Sequence, residues 1–123
     1  MFEIILAERA RTQWDRLKAD TGLEKRLRAV RKTLRFLWEN PRHPSLRTHE
    51  FTSLKGPQGE KVFEAYAEQS TPAAYRVFWY YGPEENRITV IAITPHRDYW
   101  KNRGTALLFH PIRCDRAIEN CRL

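Results

Sequence analysis

The sequence predicts an α+β fold: an N-terminal strand and a helical hairpin packed on a small, mainly antiparallel sheet, with a C-terminal helical extension. Three observations predict it. Between Glu8 and Leu37 the apolar residues recur at helical spacing, with one break at Asp20-Thr21-Gly22. From Val62 to Ile93 the chain changes to short alternating runs separated by turn-like segments. The order strand, helix, helix, meander then leaves the two helices one surface to cover, the face of a sheet.

Phe2-Glu3-Ile4-Ile5-Leu6 reads as a short strand at the edge of that sheet. A first helix follows from about Glu8 to Ala19, with Ala10, Trp14 and Leu17 on one side. In the second helix Leu23, Leu27, Val30, Leu34 and Leu37 form an apolar stripe, and Lys25, Arg28, Arg31, Lys32 and Arg35 occupy much of the remainder. Asn40-Pro41 stops it, because proline lacks the amide proton and clashes with the preceding turn. Between Pro41 and Lys61, three prolines and two glycines limit regular structure to a short edge strand at His49–Leu54. Strands at Val62–Ala67, Tyr75–Tyr81 and Arg87–Ile93 complete an antiparallel meander. Beyond Asn102, Ala106 to Phe109 can pack on the body, and Ile112 to Cys121 has the pattern of a last helix.

At 123 residues the chain is expected to form one domain, residues 1–102, with residues 103–123 as an extension packed on it. Lys and Arg number 22 against 15 Asp and Glu, a net charge of +7, which favours a polyanionic or acidic partner. No apolar run approaches the ~18 residues of a membrane span, and the N-terminus runs directly into Glu8-Arg9 without a signal-peptide pattern. A cytoplasmic location without membrane contact is the expectation. Cys114 and Cys121, seven apart, would lie ~10 Å apart along a helix, too far for a disulfide, and read as free thiols. Neither CxxC nor HExxH occurs, so nothing suggests zinc, and no cofactor is expected.

Chemistry concentrates in Ala74–Trp100. Arg76 interrupts an aromatic and apolar strand, and the last strand runs into Pro95-His96-Arg97-Asp98-Tyr99. Strand ends hold side chains rigidly where solvent still reaches them. A guanidinium, an imidazole and a phenol delivered there suit the handling of a phosphate. Each has a plainer alternative. Arg76 can pair with Glu64 across the sheet, His96 can cap a strand, Tyr99 and Trp100 can plug the core, and the basic helix face can be simply solvated. His43, His49 and His110 are given no part.

The chain resembles the RelE/ParE superfamily of toxins from bacterial toxin–antitoxin pairs. The likeness spans roughly Phe2 to Trp100. It is carried by Leu54-Lys55-Gly56, the strand Val62–Ala67, Tyr75-Arg76-Val77-Phe78-Trp79, the strand to Ile93, and His96-Arg97-Asp98-Tyr99. The resemblance implies a metal-independent endoribonuclease acting on ribosome-bound mRNA, and a cognate antitoxin that covers its basic site. Other members of the superfamily instead inhibit DNA gyrase, and a degenerate module that only binds RNA or a protein is a further alternative. RelE proteins proper carry lysines on the strand before Tyr-Arg, where this chain has Phe63-Glu64-Ala65-Tyr66, and the tail after Arg103 is longer than usual.

Metal-free RNA cleavage needs a base for the ribose 2′-hydroxyl, an acid for the departing 5′-oxygen, and cations around the phosphate. The resemblance points to His96 for proton transfer and Arg76 as the phosphate clamp, with Arg97 a second donor. Tyr99 would orient the nucleophile or stack on a base. Glu64 would stand in for the base that some relatives use. Lys55 and Lys61 would lead the RNA backbone in.

Overall fold

The computed structural model describes residues 1–68 and 74–95. In chain order these form β1 (Glu3–Leu6), α1 (Glu8–Ala19), α2 (Glu24–Glu39), β2 (His49–Lys55), β3 (Lys61–Tyr66), β4 (Tyr75–Tyr81) and β5 (Arg87–Pro95). Short 3₁₀ turns stand at Thr21–Leu23 and Pro44–Leu46. The expected C-terminal helix with Cys114 and Cys121, and the whole extension 103–123, lie outside the described residues.

Both helices form where the apolar spacing puts them, and they bury the stripe it marks. Ala10, Trp14 and Leu17 of α1 are buried, as are Val30, Leu34 and Leu37 of α2, while Leu23 and Leu27 pack at the margin. Asp20 separates the two helices: its Oδ1 accepts the Gly22 amide proton at 2.8 Å. That side-chain turn competes with further helix. Lys25, Arg28, Arg31, Lys32 and Arg35 are exposed along the outer face of α2. Among the described residues no helix is long and apolar enough to cross a membrane.

The sheet has the order β1-β5-β4-β3-β2. β1 joins its edge, parallel to β5, and the other pairings are antiparallel. The β2–β3 connection turns at Gly59, whose φ of +87° is a conformation glycine adopts without steric cost. α1 lies over β5 and α2 over β4. The core between helices and sheet gathers Trp14, Leu34 and Leu37 with Leu6, Ala65, Val77, Trp79, Ile88, Val90 and Ile93. A second cluster on the opposite face contains Leu54, Val62, Phe78, Tyr80, Ile91 and Ala92, with Phe51 against it.

A bulge in β5 makes this division possible. Phe78 pairs with Ala92 and Trp79 with Val90, so Ile91 is the extra residue. Before the bulge Ile88 and Val90 face the helices; after it Ile93 does, and Ala92 turns away. Unbroken alternation would put Thr94 on the helix side with Val90. One inserted residue reverses the faces and sets Thr94 opposite Arg76 instead. β1 ends too early to pair with this part of β5, and a side chain takes its place: Gln13 Oε1 accepts the Ile93 amide proton at 2.7 Å.

Tyr80, 3% exposed, belongs to the second cluster. Burial pushes its phenol above the usual tyrosine value, Glu60 adds to the rise, and a hydrogen bond with Thr89 opposes it. The unfolded chain therefore loses this proton at ~10, before the folded one does. Over that interval the folded state binds more protons, so stability falls as pH rises. Urea melts between pH 8 and 11 are expected to show this fall, and Tyr80→Phe to reduce it. An unchanged slope in the variant would contradict the assignment.

Candidate functional site

Residues of four strands come side by side on the sheet face opposite the helices: His49 of β2, Glu64 and Tyr66 of β3, Arg76 of β4 and Thr94 of β5. The registers that align them are His49 with Glu64, Tyr66 with Arg76, and Arg76 with Thr94. Cross-strand neighbours share a face, so these pairings decide what can touch. Glu64 is the centre of the group and is 1% exposed. Its Oε1 lies 2.8 Å from His49 Nε2, and its Oε2 lies 3.5 Å from Arg76 Nε. The second distance is within ion-pair range, yet Arg76 Nε has no well-aligned acceptor. Its attraction to Glu64 is therefore mainly Coulombic.

Arg76 is held on three sides. Its Nη1 donates to the Glu68 carbonyl at 2.8 Å, its guanidinium carbon stands 3.9 Å from the Tyr66 ring centroid, and Glu64 faces Nε. The stacking is cation–π in character and fixes the plane of the guanidinium. About an eighth of the side chain, 12%, remains exposed. Glu68 is itself fastened: its Oε1 accepts the Tyr75 amide proton at 3.1 Å and lies 3.6 Å from Arg26 Nε on α2. Arg26 in turn stands 5.2 Å from the Tyr75 ring centroid. The start of β4, and with it Arg76, is thus tied to the helical layer.

Arg76 and Glu64 are brought together in the pairing that the sequence left open as the structural alternative. Lys55 and Lys61 pair with each other at the β2–β3 hairpin. Lys61 alternates onto the face of Phe63 and Ala65, so the two lysines turn away from Glu64. Lys55 Nζ lies 3.7 Å from Glu50 Oε2. β5 ends at Pro95, opposite Tyr75 and next to the Arg76–Thr94 pair. His96, Arg97 and Tyr99 lie outside the described residues.

Sequence reasoning passed over His49 and Tyr66. His49 has 47% of its side chain exposed, and its ring meets that of Tyr66 edge-on at 5.6 Å between centroids. A histidine opening a predicted edge strand, at the parity of the buried glutamate next door, was a usable signal. It lacked only the register, which no local pattern supplies. The resulting arrangement is one enclosed carboxylate between a guanidinium and an imidazole, the first planar and fixed, the second reaching solvent. Such a group can bind an anion and move a proton beside it.

No family model matches this sequence, and no curated protein matches it. Among solved structures, the YoeB dimer from Staphylococcus aureus is similar, with a TM-score of 0.54 at 11% identity. The match covers 77% of this chain and 97% of that one. The likeness is one of fold, and it agrees with the α+β layout and with the RelE/ParE resemblance carried by the motifs.

Proposed function

We propose that the chain is the toxin of a type II toxin–antitoxin pair and cleaves ribosome-bound mRNA by metal-independent attack of a ribose 2′-hydroxyl on the adjoining phosphate. The observation that carries this reading is Arg76, oriented by Glu64 and Tyr66 on the face of a YoeB-like sheet at the end where β5 leaves it. A guanidinium fixed in plane matches two phosphate oxygens and loses little freedom on binding. His96 follows Pro95 in the sequence and is the candidate for one proton transfer, with Arg97 and Tyr99 assisting. Glu64, enclosed between His49 and Arg76, acts by orienting them. A cognate antitoxin would neutralise the basic surface, and the exposed cations of α2 suit ribosomal RNA.

A specific observation favours a second reading. Arg76 already has Glu64, Glu68 and Tyr66 about it, as a purely structural arginine would. On that reading the chain is a module that binds RNA, or a protein such as gyrase, without cleavage. Induced expression followed by primer extension on cellular messages separates the two. New 5′ ends are expected for the native chain, and Arg76→Ala is expected to slow cleavage by roughly 10²–10³-fold, the scale for losing one preorganised charge-stabilising donor. Growth arrest without RNA ends, unaffected by His96→Ala, would favour the binding reading.

A further inference from the structure

We infer that the chain carries a nucleotide-binding site on the helix face of the sheet, where one base of a single-stranded RNA stacks on Tyr81 and its phosphates lie against Arg42 and Arg47. The site is on the other face from Arg76 and goes beyond the cleavage reading, since it requires binding alone. Register creates its floor. Phe63 pairs with Trp79 across β3 and β4, and Tyr81 follows two places along the same face. The segment between α2 and β2 supplies the other wall with Arg42, Arg47 and Thr48, and the depression so enclosed measures about 380 Å³. That lies within the ~300–1,000 Å³ of sites that hold small ligands.

Three observations point to a nucleotide as the occupant. The first is the floor. Phe63 is stacked on Trp79, 5.0 Å between centroids and 30° between planes, whereas Tyr81 meets these two rings at 75° and 84° and Phe2 at 51°. None of the three lies parallel to Tyr81, which stays 39% exposed. An exposed ring with no parallel neighbour, backed by a packed aromatic cluster, is a platform for a base.

The second is charge. Arg42 and Arg47 are exposed. Among the described residues no carboxylate lines the depression and neither arginine forms an ion pair. A phosphate therefore meets two guanidiniums with no carboxylate to displace. Arg47 also borders a second depression, of about 470 Å³, together with Lys32 and with Tyr66, the ring stacked on Arg76. Cations thus continue from this site toward Arg76, as in a groove that tracks a phosphate backbone. His43 steadies the segment between the two arginines: its ring stacks on Phe36 at 4.0 Å, and its Nδ1 accepts the Ser45 amide proton at 3.1 Å.

The third is unmet hydrogen bonding. Trp79 Nε1, in a residue 1% exposed, and Thr48 Oγ1 are buried without a partner, and both residues line this depression. Buried polar groups normally have partners, and the edge of a base carries both acceptors and donors. An acidic protein segment would satisfy the arginines but leave the exposed ring and these two groups unused.

The test measures binding of a fluorescent six-nucleotide RNA to the full chain, and of the same strand without its bases. Both strands carry 2′-O-methyl sugars, which preclude attack by the 2′-oxygen. Tyr81→Ala is expected to weaken the base-bearing strand roughly 10-fold, within the range for one lost stacking contact, and to leave the abasic strand unchanged. Tyr81→Phe keeps a ring and is expected to bind as the native chain does. Arg42→Ala and Arg47→Ala are each expected to weaken both strands and to lower the slope of log affinity against log salt by about 0.7, one phosphate contact. Failure of the native chain to bind, or equal binding of the base-bearing strand by Tyr81→Ala, overturns the inference. A Tyr81→Ala that loses both strands alike overturns it too, because stacking would spare the abasic one. Poly-glutamate that binds more tightly than the RNA, and equally well after Tyr81→Ala, overturns it in favour of an acidic protein partner. Ultraviolet crosslinking of a 5-bromouridine strand to the native chain needs no variant. The crosslinked peptide must contain Phe63, Trp79 or Tyr81, and a crosslink confined to other peptides overturns the inference. Cleavage is scored separately on programmed ribosomes. A chain that cuts nothing but binds as stated loses the ribonuclease reading and keeps this site, and one that cuts while Tyr81→Ala binds normally does the reverse.

Discussion

Replacing Glu64 with alanine is expected to destabilise the fold by about 3–5 kcal/mol, the scale for breaking a buried charge pair from one side. Glu64 is 1% exposed and Arg76 12%, so neither charge has much water to fall back on. Without the carboxylate, the Arg76 guanidinium keeps its desolvation cost, and the Tyr66 ring and Glu68 carbonyl are its main remaining partners. The exposed His49 contributes little to this loss, because solvent replaces its partner. Urea denaturation of Glu64→Ala, Arg76→Leu and the double variant measures the effect and its coupling. The double variant is expected to lose less than the sum of the singles, since no unpaired charge stays behind. A loss under ~1 kcal/mol for Glu64→Ala would mean that Arg76 finds solvent easily, and the site as described would be wrong.

Trp14→Ala should cost a similar amount, about 3–5 kcal/mol, for a different reason: a large cavity opens between the hairpin and the sheet. Trp14 is 1% exposed and belongs to the main core with Leu34, Leu37 and Trp79. Lys18 and Arg31 approach its ring, with Nζ and guanidinium carbon 5.6 and 5.8 Å from the centroid, so one residue of α1 is covered by cations from both helices. Trp14→Phe retains most of the buried area and should lose distinctly less. The two predictions separate in the readout. Trp14→Ala lowers the amount of folded protein but leaves the rate per folded molecule intact. Glu64→Ala lowers both. A Trp14→Ala protein as stable as the native chain would show that the helical layer is not anchored there.

Much of this architecture was legible in the sequence because its cause is local. The stripe Val30, Leu34, Leu37 and the break at Asp20 define helices whatever surrounds them, and the observed bounds Glu8–Ala19 and Glu24–Glu39 follow. Arg76 also stood out locally, as a charge in an apolar strand. The β5 bulge did not. Ile88 to Ile93 reads equally well as a strand facing one way or the other, and the extra residue at Ile91 is decided by what β4 presents beside it. Gln13 gave no hint that it would complete a strand edge 80 residues away. His49 was given no part because its partner, Glu64, lies fifteen positions along the chain.

By itself, then, the order of residues determined two helices, five strands and an arginine within an apolar strand, since spacing and turn chemistry act over a few positions. Only the assembled sheet decided which side chains share a face. That choice depends on strand register, and a shift of one residue would have separated His49 and Arg76 from the carboxylate that now holds them both.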